Sequence, residues 1–274
     1  MEPEMDPINP ALQRMARGEA ALGMLVRLNR SPEIVRVAKA SGHDFVFIDT
    51  QHGLFSVETV GALAQAALGS GIAAYVRVRN SEDDDISRFL DAGITGIIVP
   101  DVGTADQARQ AVDRAKFAPV GRRSVSSGYP AFDFKPVPLG LLTRTMNEQT
   151  LLVCMIETLE GLENVDAIAA VDGVDVVHIG CNDMLVAMGK PGQFGDAEIM
   201  EAVHRVIDAC RRHGKIAGLG GERDLGRQVE LIGAGVRFIT TQSDLAYLLS
   251  AATARVEGVR GGVGSVPGRA ARPR

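Results

Sequence analysis

The chain has 274 residues, a formal net charge of −5 at pH 7 and an apolar fraction of 46%. That apolar fraction suffices for one sizeable core, and nothing in the composition marks a second folded domain. The net acidic charge, without a basic stripe interleaved with aromatic residues, argues against a nucleic-acid-binding protein. No run of apolar residues is long enough to predict a membrane span, and the chain starts without a signal-like pattern, so we expect a cytoplasmic protein.

Eight short apolar runs predict strands, and polar turns and amphipathic stretches separate them. In chain order the predicted strands are Gly23–Val26, Phe45–Ile48, Ala74–Val78, Gly96–Val99, Leu151–Ile156, Val174–Ile179, Ile216–Leu219 and Phe238–Thr241. The amphipathic stretches predict the helices Ser31–Ser41, Ser56–Ala67, Ser81–Ala92, Ala105–Phe117, Gly161–Val171, Asp196–His213 and Leu225–Gly233. Parallel strands joined by helical crossovers, eight times over, predict a (β/α)8 TIM barrel, with a doubly wound open sheet as the alternative.

We predict one barrel domain over residues 1–257, which ends with an apolar helix at Ser243–Arg255. Residues 258–274 mix Gly, Arg, Pro and Ser and predict a disordered tail. The three cysteines, Cys154, Cys181 and Cys210, are odd in number and lack a paired metal spacing. They predict neither a disulfide framework nor a zinc site, and buried thiols are the favoured interpretation even for Cys181.

Two acidic residues follow apolar runs at the ends of successive predicted strands. Glu157 follows the fifth strand and Asp183 follows the sixth. If these strands are neighbours, both carboxylates emerge at the carboxyl-end rim of the barrel, where catalytic groups belong. Carboxylate oxygens are hard ligands, so this pair predicts a site for one divalent cation.

Other polar residues lie at predicted strand ends. His52 follows the second strand near Asp49, and a histidine beside an acid at this rim is a credible general base. Arg77 lies near the end of the third strand and needs an anion, which is either a substrate carboxylate or an internal partner such as Asp49 or Glu157. His178 lies within the sixth strand, where packing in the barrel is the expected role.

Two further features leave alternatives open. Asp91 ends a helix, where an acid opposes the helix dipole, so it either hydrogen-bonds to His52 or is a plain surface residue. The long polar loop Gly121–Pro130 is predicted to be a lid, a subunit contact or an ordinary loop. In the first two cases Arg122 or Arg123 could meet a second carboxylate.

Seven segments together resemble the HpcH/HpaI family of metal-dependent pyruvate aldolases, from about Leu22 to Ala254. They are Asp44–Gly53, Tyr75–Arg77, Leu90–Gly93, Ile97–Pro100, Ile156–Glu157, Ile179–Asp183 and Met188–Gly192. The chain departs from the family pattern at Gln51, at Met155 and in the predicted loop Cys181–Leu185. These departures concern polar groups around the metal ligands rather than the ligands themselves.

The resemblance implies a barrel of the phosphoenolpyruvate/pyruvate type that binds Mg²⁺, Mn²⁺ or Co²⁺ through Glu157 and Asp183. It implies that His52 is catalytic, that Asp91 orients it, and that Arg77 binds the substrate and stabilises an enolate. The implied substrate-binding residues also include Gly180, Cys181, Asn182 and Asp183. Residues expected to support these groups from behind are Asp49, Gln51, Met155 and Arg123.

The implied reaction is the reversible cleavage of a 4-hydroxy-2-oxo acid to pyruvate, or a related 2-oxo acid, and an aldehyde through a metal-stabilised enolate. No lysine lies at the carboxyl end of a predicted strand, which disfavours a Schiff-base route. One alternative is a citrate-synthase-like condensation, or a decarboxylation, that uses oxaloacetate in the same site; extra arginines in the pocket would favour it. Another is a non-catalytic oligomeric binding protein.

The family resemblance also implies a homo-hexamer, a trimer of dimers that exchange the last helix. Leu245, Leu248, Leu249 and Ala252 make that helix more apolar than a peripheral helix requires. A helix packed on its own barrel would give the same sequence pattern.

Overall fold

The structure, a computed structural model, describes residues 9–264. Eight parallel strands pair in chain order and close on themselves, because β8 pairs with β1, which confirms the barrel over the open sheet. The strands are β1 Ala21–Val26, β2 Phe45–Asp49, β3 Ala73–Arg77, β4 Gly96–Val99, β5 Leu151–Ile156, β6 Val176–Gly180, β7 Ile216–Gly220 and β8 Val236–Ser243. All eight were predicted, with bounds that differ by at most two residues at either end.

Twelve helices are present among the described residues. They are α1 Pro10–Ala16, α2 Glu33–Ala40, α3 Val57–Ser70, α4 Ile86–Asp91, α5 Ala105–Ala115, α6 Leu139–Gln149, α7 Leu159–Glu163, α8 Val165–Ala169, α9 Cys181–Ala187, α10 Ala197–His213, α11 Leu225–Ala234 and α12 Asp244–Gly264. Side-chain caps start several of them: the Ser56 hydroxyl accepts from the Thr59 amide, and Thr104 and Gln107 form a capping box.

The helices differ from the prediction at four places. The predicted helix Gly161–Val171 divides at Asn164 into α7 and α8. The predicted loop Cys181–Leu185 is instead part of helix α9. Helices α1 and α6 were not predicted.

Alternate residues of each strand point inside the barrel, and their neighbours pack against the helices. Inside, the rings of Phe45 and Phe238 stack at 4.4 Å, and Tyr75 lies edge-on to Phe45 at 5.1 Å. Helix α1 packs against the same cluster, and the Tyr75 hydroxyl donates to Asn9 Oδ1 at 2.8 Å. One end of the barrel is therefore filled, which leaves the carboxyl ends of the strands for a pocket.

Helix α12 extends to Gly264, beyond its predicted end at Arg255 and beyond the predicted start of the tail at Gly258. That part of the tail assignment is wrong, because residues 258–264 continue the helix; residues 265–274 lie outside the described residues. From Leu245 to Gly262 every side chain of α12 except that of Ala246 is exposed. Within residues 9–264, no helix has the length and apolar character that crossing a membrane requires.

Candidate active site

A cavity of about 380 Å³ opens at the carboxyl ends of the strands. Its lining comes from β1, β2, β3, β5, β6, β7 and β8 and from the loops that follow them. In enzymes with this barrel fold, the active site lies at this end of the barrel. His52, Arg77, Glu157 and Asp183, four residues predicted from strand ends, all line this cavity.

Glu157 and Asp183 occupy adjacent positions around the rim. Glu157 follows β5 directly and is 3% exposed, whereas Asp183 lies exposed in the first turn of α9, directly after the neighbouring strand β6. The Asp101 amide donates to Glu157 Oε1 at 3.2 Å. Burial raises the pKa of Glu157 to about 8, and the charge of Arg77 only partly opposes that effect. Across the described chain, no basic side chain forms an ion pair with Glu157.

These two carboxylates fit a divalent cation. A buried carboxylate without an ion pair has its charge compensated when a cation binds, and Gly180 leaves the space that the Glu157 carboxylate occupies. No cluster of three or more His, Cys, Asp or Glu residues suited to a metal occurs between residues 9 and 264. A cation here would take two carboxylate ligands from the chain, a donor set that suits Mg²⁺ or Mn²⁺ better than a structural zinc ion.

Arg77 has the internal ion pair that was one of the two predicted possibilities. Its Nε donates to Asp49 Oδ1 at 3.0 Å and its Nη2 to Asp49 Oδ2 at 2.8 Å, and Asp49 is fully buried. Arg27 adds a second contact, with Nε 3.2 Å from Asp49 Oδ2. Burial alone would raise the pKa of Asp49, but these two arginines hold that pKa below its ordinary value. Since the two-point pairing fixes the guanidinium plane, Nη1 remains for the cavity.

His52 lies exposed at the cavity, in the loop after β2. Its backbone amide donates to Asp49 Oδ1 at 3.3 Å, so the same carboxylate that orients Arg77 also holds this loop. Gln51 lies beside it and donates from Nε2 to Asp101 Oδ2 at 3.4 Å. The imidazole is thus placed where a proton donor or acceptor would meet a ligand entering the cavity.

Asp91 does not pair with His52 within the described chain. At the end of α4 it accepts a hydrogen bond from Arg123 Nη2 at 2.5 Å. The Arg123 side chain is fully buried, with its guanidinium over the rings of Phe117 at 4.5 Å and Tyr129 at 5.7 Å. Within the described chain Asp91 therefore contacts Arg123 and not His52, and its expected role in orienting His52 stays a prediction. Arg123 fixes the long loop to α4 and does not line the cavity.

The segment after β6 reaches the cavity, but not with every residue that was expected there. Gly180, Asn182 and Asp183 line the cavity, as expected, but Cys181 does not. Cys181 is 3% exposed because it is the first residue of α9 and faces the core, and burial raises its pKa to about 12. The substrate contact expected for Cys181 is thus not made by its side chain. Met155 does line the cavity, with Sδ 4.0 Å from Arg77 Nη1.

His178 is packed in the barrel as expected, but it also lines the cavity. Its ring lies edge-on to Phe238 at 5.6 Å, and it is 1% exposed. Burial, reinforced by the charge of Arg77, lowers the pKa of His178 to about 3, so the imidazole is neutral at physiological pH.

Sequence reasoning missed part of the site. Asp101 follows β4 in a left-handed conformation, with φ 52°, and this directs its amide toward Glu157. Glu222 follows β7, is buried, and accepts from the amides of Arg223 and Asp224 at 2.7 Å each. Arg27 and Arg223 line the cavity. Arg27 and Asp101 follow predicted strands, so the strand-end rule could have found them.

Comparison with known proteins decides the family. Residues 22–248 match the HpcH/HpaI aldolase/citrate lyase family. The chain belongs to this family. It is 36% identical over 253 residues to the 4-hydroxy-4-methyl-2-oxoglutarate aldolase cghB of Chaetomium globosum, a match that covers 90% of the chain and 94% of that protein. The chain is therefore an aldolase, a carbon–carbon lyase.

Two solved structures have the same fold as this chain. An HpcH/HpaI aldolase from Desulfitobacterium hafniense superimposes with a TM-score of 0.88 at 26% identity, covering 95% of this chain and 98% of that one. The citrate synthase SbnG superimposes with a TM-score of 0.85 at 28% identity, covering 94% and 100%. The higher identity to a named aldolase favours aldol chemistry over citrate formation.

Proposed function

We propose that this aldolase cleaves a 4-hydroxy-2-oxo acid reversibly to pyruvate, or a related 2-oxo acid, and a carbonyl compound, with a divalent cation held by Glu157 and Asp183. The observation that carries the proposal is the buried Glu157 carboxylate beside Asp183, at the ends of adjacent strands and facing the same cavity as Arg77. When bound, Mg²⁺, Mn²⁺ or Co²⁺ would supply Lewis-acid stabilisation of negative charge on the keto oxygen.

Arg77 provides the positive charge that stabilises the enolate. Breaking the bond between C3 and C4 leaves an electron pair that becomes enolate charge on the C2 oxygen. A guanidinium already oriented by Asp49 needs no rearrangement to donate a hydrogen bond to that oxygen. Its burial against Phe47, whose ring centroid lies 5.5 Å from Arg77 Cζ, keeps water from weakening the interaction.

His52 is suited to move the protons. The C4 hydroxyl loses a proton in the cleavage direction, and C3 gains one as pyruvate forms. His52 is exposed and lines the cavity, so its imidazole can exchange protons with both the substrate and solvent.

The substrate carries a second carboxylate. Arg27 and Arg223 line the cavity from the loops after β1 and β7, the two strands that flank β8, whereas Glu157 follows β5. The similar protein of Chaetomium globosum is named for 4-hydroxy-4-methyl-2-oxoglutarate, which has two carboxylates. Oxaloacetate shares this charge pattern, so its condensation or decarboxylation is the second candidate function.

The test is pyruvate release from a panel of 4-hydroxy-2-oxo acids by metal-stripped protein, with and without added Mn²⁺ or Mg²⁺. We expect cleavage that depends on metal and is lost in Glu157→Ala and Asp183→Ala. Glu163→Ala, an exposed acid on α7, serves as the matched control and should retain activity. Metal-independent cleavage would contradict the proposal, and consumption of oxaloacetate alone would favour the second function.

The assembly is a homo-oligomer built through α12, with a hexamer as the expected form. Leu245, Leu248 and Leu249 are 50%, 59% and 63% exposed, so a single chain leaves this apolar surface uncovered. Asp244 anchors the start of the helix by accepting from the amides of Leu28 and Asn29. A second copy of the chain would cover the helix, and sedimentation of Leu248→Glu against wild type tests this, with dissociation expected.

A further inference from the structure

His178 is a buried polar side chain inside the barrel, at 1% exposure. Neither Nδ1 nor Nε2 has a partner among residues 9–264. The Tyr75 hydroxyl, another buried polar group inside the barrel, is satisfied because it donates to Asn9 Oδ1. An apolar side chain would fill the position of His178 without leaving a buried N–H group unpaired, which is costly.

The barrel is shaped to hold this imidazole. A Cβ at Gly218 would stand 2.6 Å from His178 Nδ1, and a Cβ at Gly220 would stand 2.6 Å from Nε2. Both glycines belong to β7, which pairs with β6 through His178 and Gly218. Two residues on the neighbouring strand therefore lack side chains at the place where the ring needs room.

The imidazole of His178 lines the cavity at a deeper level of the barrel than Glu157. It lines the cavity together with Met155, Gly180 and Thr240. On β5 and β6 the inward positions rise from Met155 and His178 to Glu157 and Gly180, one step of about 6.6 Å along the strand axis. The ring nitrogens are thus within reach of a small ligand bound next to Glu157 through one substituent or one water molecule.

Resting on the function proposed above, we propose that His178 is a specificity-determining residue of the 2-oxo acid site. Its neutral imidazole hydrogen-bonds a polar substituent on C3 of the bound 2-oxo acid, or an ordered water molecule when C3 carries only hydrogen. A hydroxyl at C3 satisfies the ring, whereas a methyl group of similar size displaces the water and leaves the ring unpaired. The site therefore favours 3-hydroxy over 3-methyl donors.

The test compares hydroxypyruvate with 2-oxobutanoate as the donor in aldol addition to one fixed aldehyde. These donors differ at C3 by a hydroxyl in place of a methyl group. Wild type should prefer hydroxypyruvate by about tenfold in kcat/KM, and His178→Phe should remove that preference while it retains addition of pyruvate. His178→Leu makes the same test if the phenylalanine variant does not fold.

Rescue variants separate hydrogen bonding from packing. His178→Gln places an amide near the position of Nε2, and His178→Asn places one near Nδ1, so one of them should restore part of the preference. Tyr75→Phe is the matched control, because it removes a buried polar group inside the barrel that does not line the cavity; its donor ratio should not change.

An unchanged donor ratio in His178→Phe, with pyruvate addition intact, would overturn the inference. Failure of both amide variants to restore the ratio would do the same, since the effect would then be steric. Absence of metal-dependent addition with every donor in wild type would instead refute the proposed function, so the two failures are distinguishable.

Discussion

The carboxylate of Glu157 occupies the space that a side chain at Gly180 would fill. A Cβ at residue 180 would stand 2.5 Å from Glu157 Oε2. The strand register causes this closeness, because Ile156 pairs with Ile179 and the next residue on each strand faces the cavity. Gly180 has φ −95°, which any residue can adopt, so the requirement for glycine is one of space.

Gly180→Ala should therefore weaken metal binding with little effect on the fold. The new methyl group pushes the Glu157 carboxylate from its position, and we expect a loss of about 10- to 100-fold in Mn²⁺ affinity, as when groups around metal ligands are disturbed. Titration with Mn²⁺ followed by calorimetry measures it. Gly61→Ala is the control, because its Cβ would make only an ordinary contact, 3.8 Å from Ala92. Equal affinities in the three proteins would contradict the expectation.

Metal affinity should rise with pH because Glu157 must lose a proton to bind a cation. In the metal-free protein burial raises its pKa from 4.5 to about 8, so the folded chain holds this proton at neutral pH. Between pH 6 and 8 the affinity should increase by up to about tenfold per unit and level off above pH 8. Calorimetry in two buffers of different ionisation enthalpy should show about one proton released at pH 6.5. A flat affinity across this range would refute the assignment.

The sequence was sufficient to predict the barrel and the positions of Glu157 and Asp183 at its rim, for one shared reason. Strand periodicity is a local property, and in parallel strands it also determines which residues emerge at the carboxyl rim. Glu157, Asp183, Arg77 and His52 could be placed by that rule alone. No contact between distant residues was needed.

Partners across the fold could not be predicted in the same way. Asp91 was assigned to His52, but its carboxylate is used by Arg123, from a loop whose path is set by packing around Phe117 and Tyr129. Cys181 was placed in a loop because short helices such as α9 lack a periodic pattern of their own. The cytoplasmic location remains a prediction.

Asp49→Ala should be strongly destabilising because it leaves Arg77 buried without an anion. Removing one partner of a buried, two-point ion pair costs about 3–5 kcal/mol in the free energy of unfolding. Urea unfolding measures the change. Asp106→Ala removes the exposed partner of Arg109 on α5 and should cost less than about 1 kcal/mol. Similar losses in the two variants would show that the Asp49 pair is not buried in solution.

Arg223→Ala should reduce turnover of substrates with a second carboxylate and spare neutral ones. The Arg223 side chain is exposed at the cavity and forms no ion pair within the described chain, while Glu222 holds its backbone by accepting its amide at 2.7 Å. Losing a charge-assisted contact worth about 1.5–3 kcal/mol should lower kcat/KM about 10- to 100-fold. This loss is expected for aldol addition in which pyruvate, which brings the second carboxylate, is the acceptor. Propionaldehyde should react as in wild type.

The control for that experiment is Arg36→Ala, an exposed arginine on α2 that does not line the cavity. It makes the same change in net charge, so it corrects for long-range attraction of anions. Equal losses in Arg36→Ala and Arg223→Ala would assign the effect to net charge and contradict a carboxylate contact at Arg223.

His178 should make the protein less stable as pH falls. Its pKa is about 3 in the folded chain, below the ordinary value of 6.5, because the ring is buried. Between these values the unfolded chain binds a proton that the folded chain does not, so the free energy of unfolding decreases with decreasing pH. The slope from this group approaches about 1.4 kcal/mol per pH unit below pH 6. Urea unfolding of wild type and His178→Gln from pH 7.5 to 5 isolates it, because the other titrating groups are common to both proteins. We expect the difference in unfolding free energy between the two proteins to change by about 1 kcal/mol or more over this range. Parallel curves would mean that folding does not lower the pKa of His178.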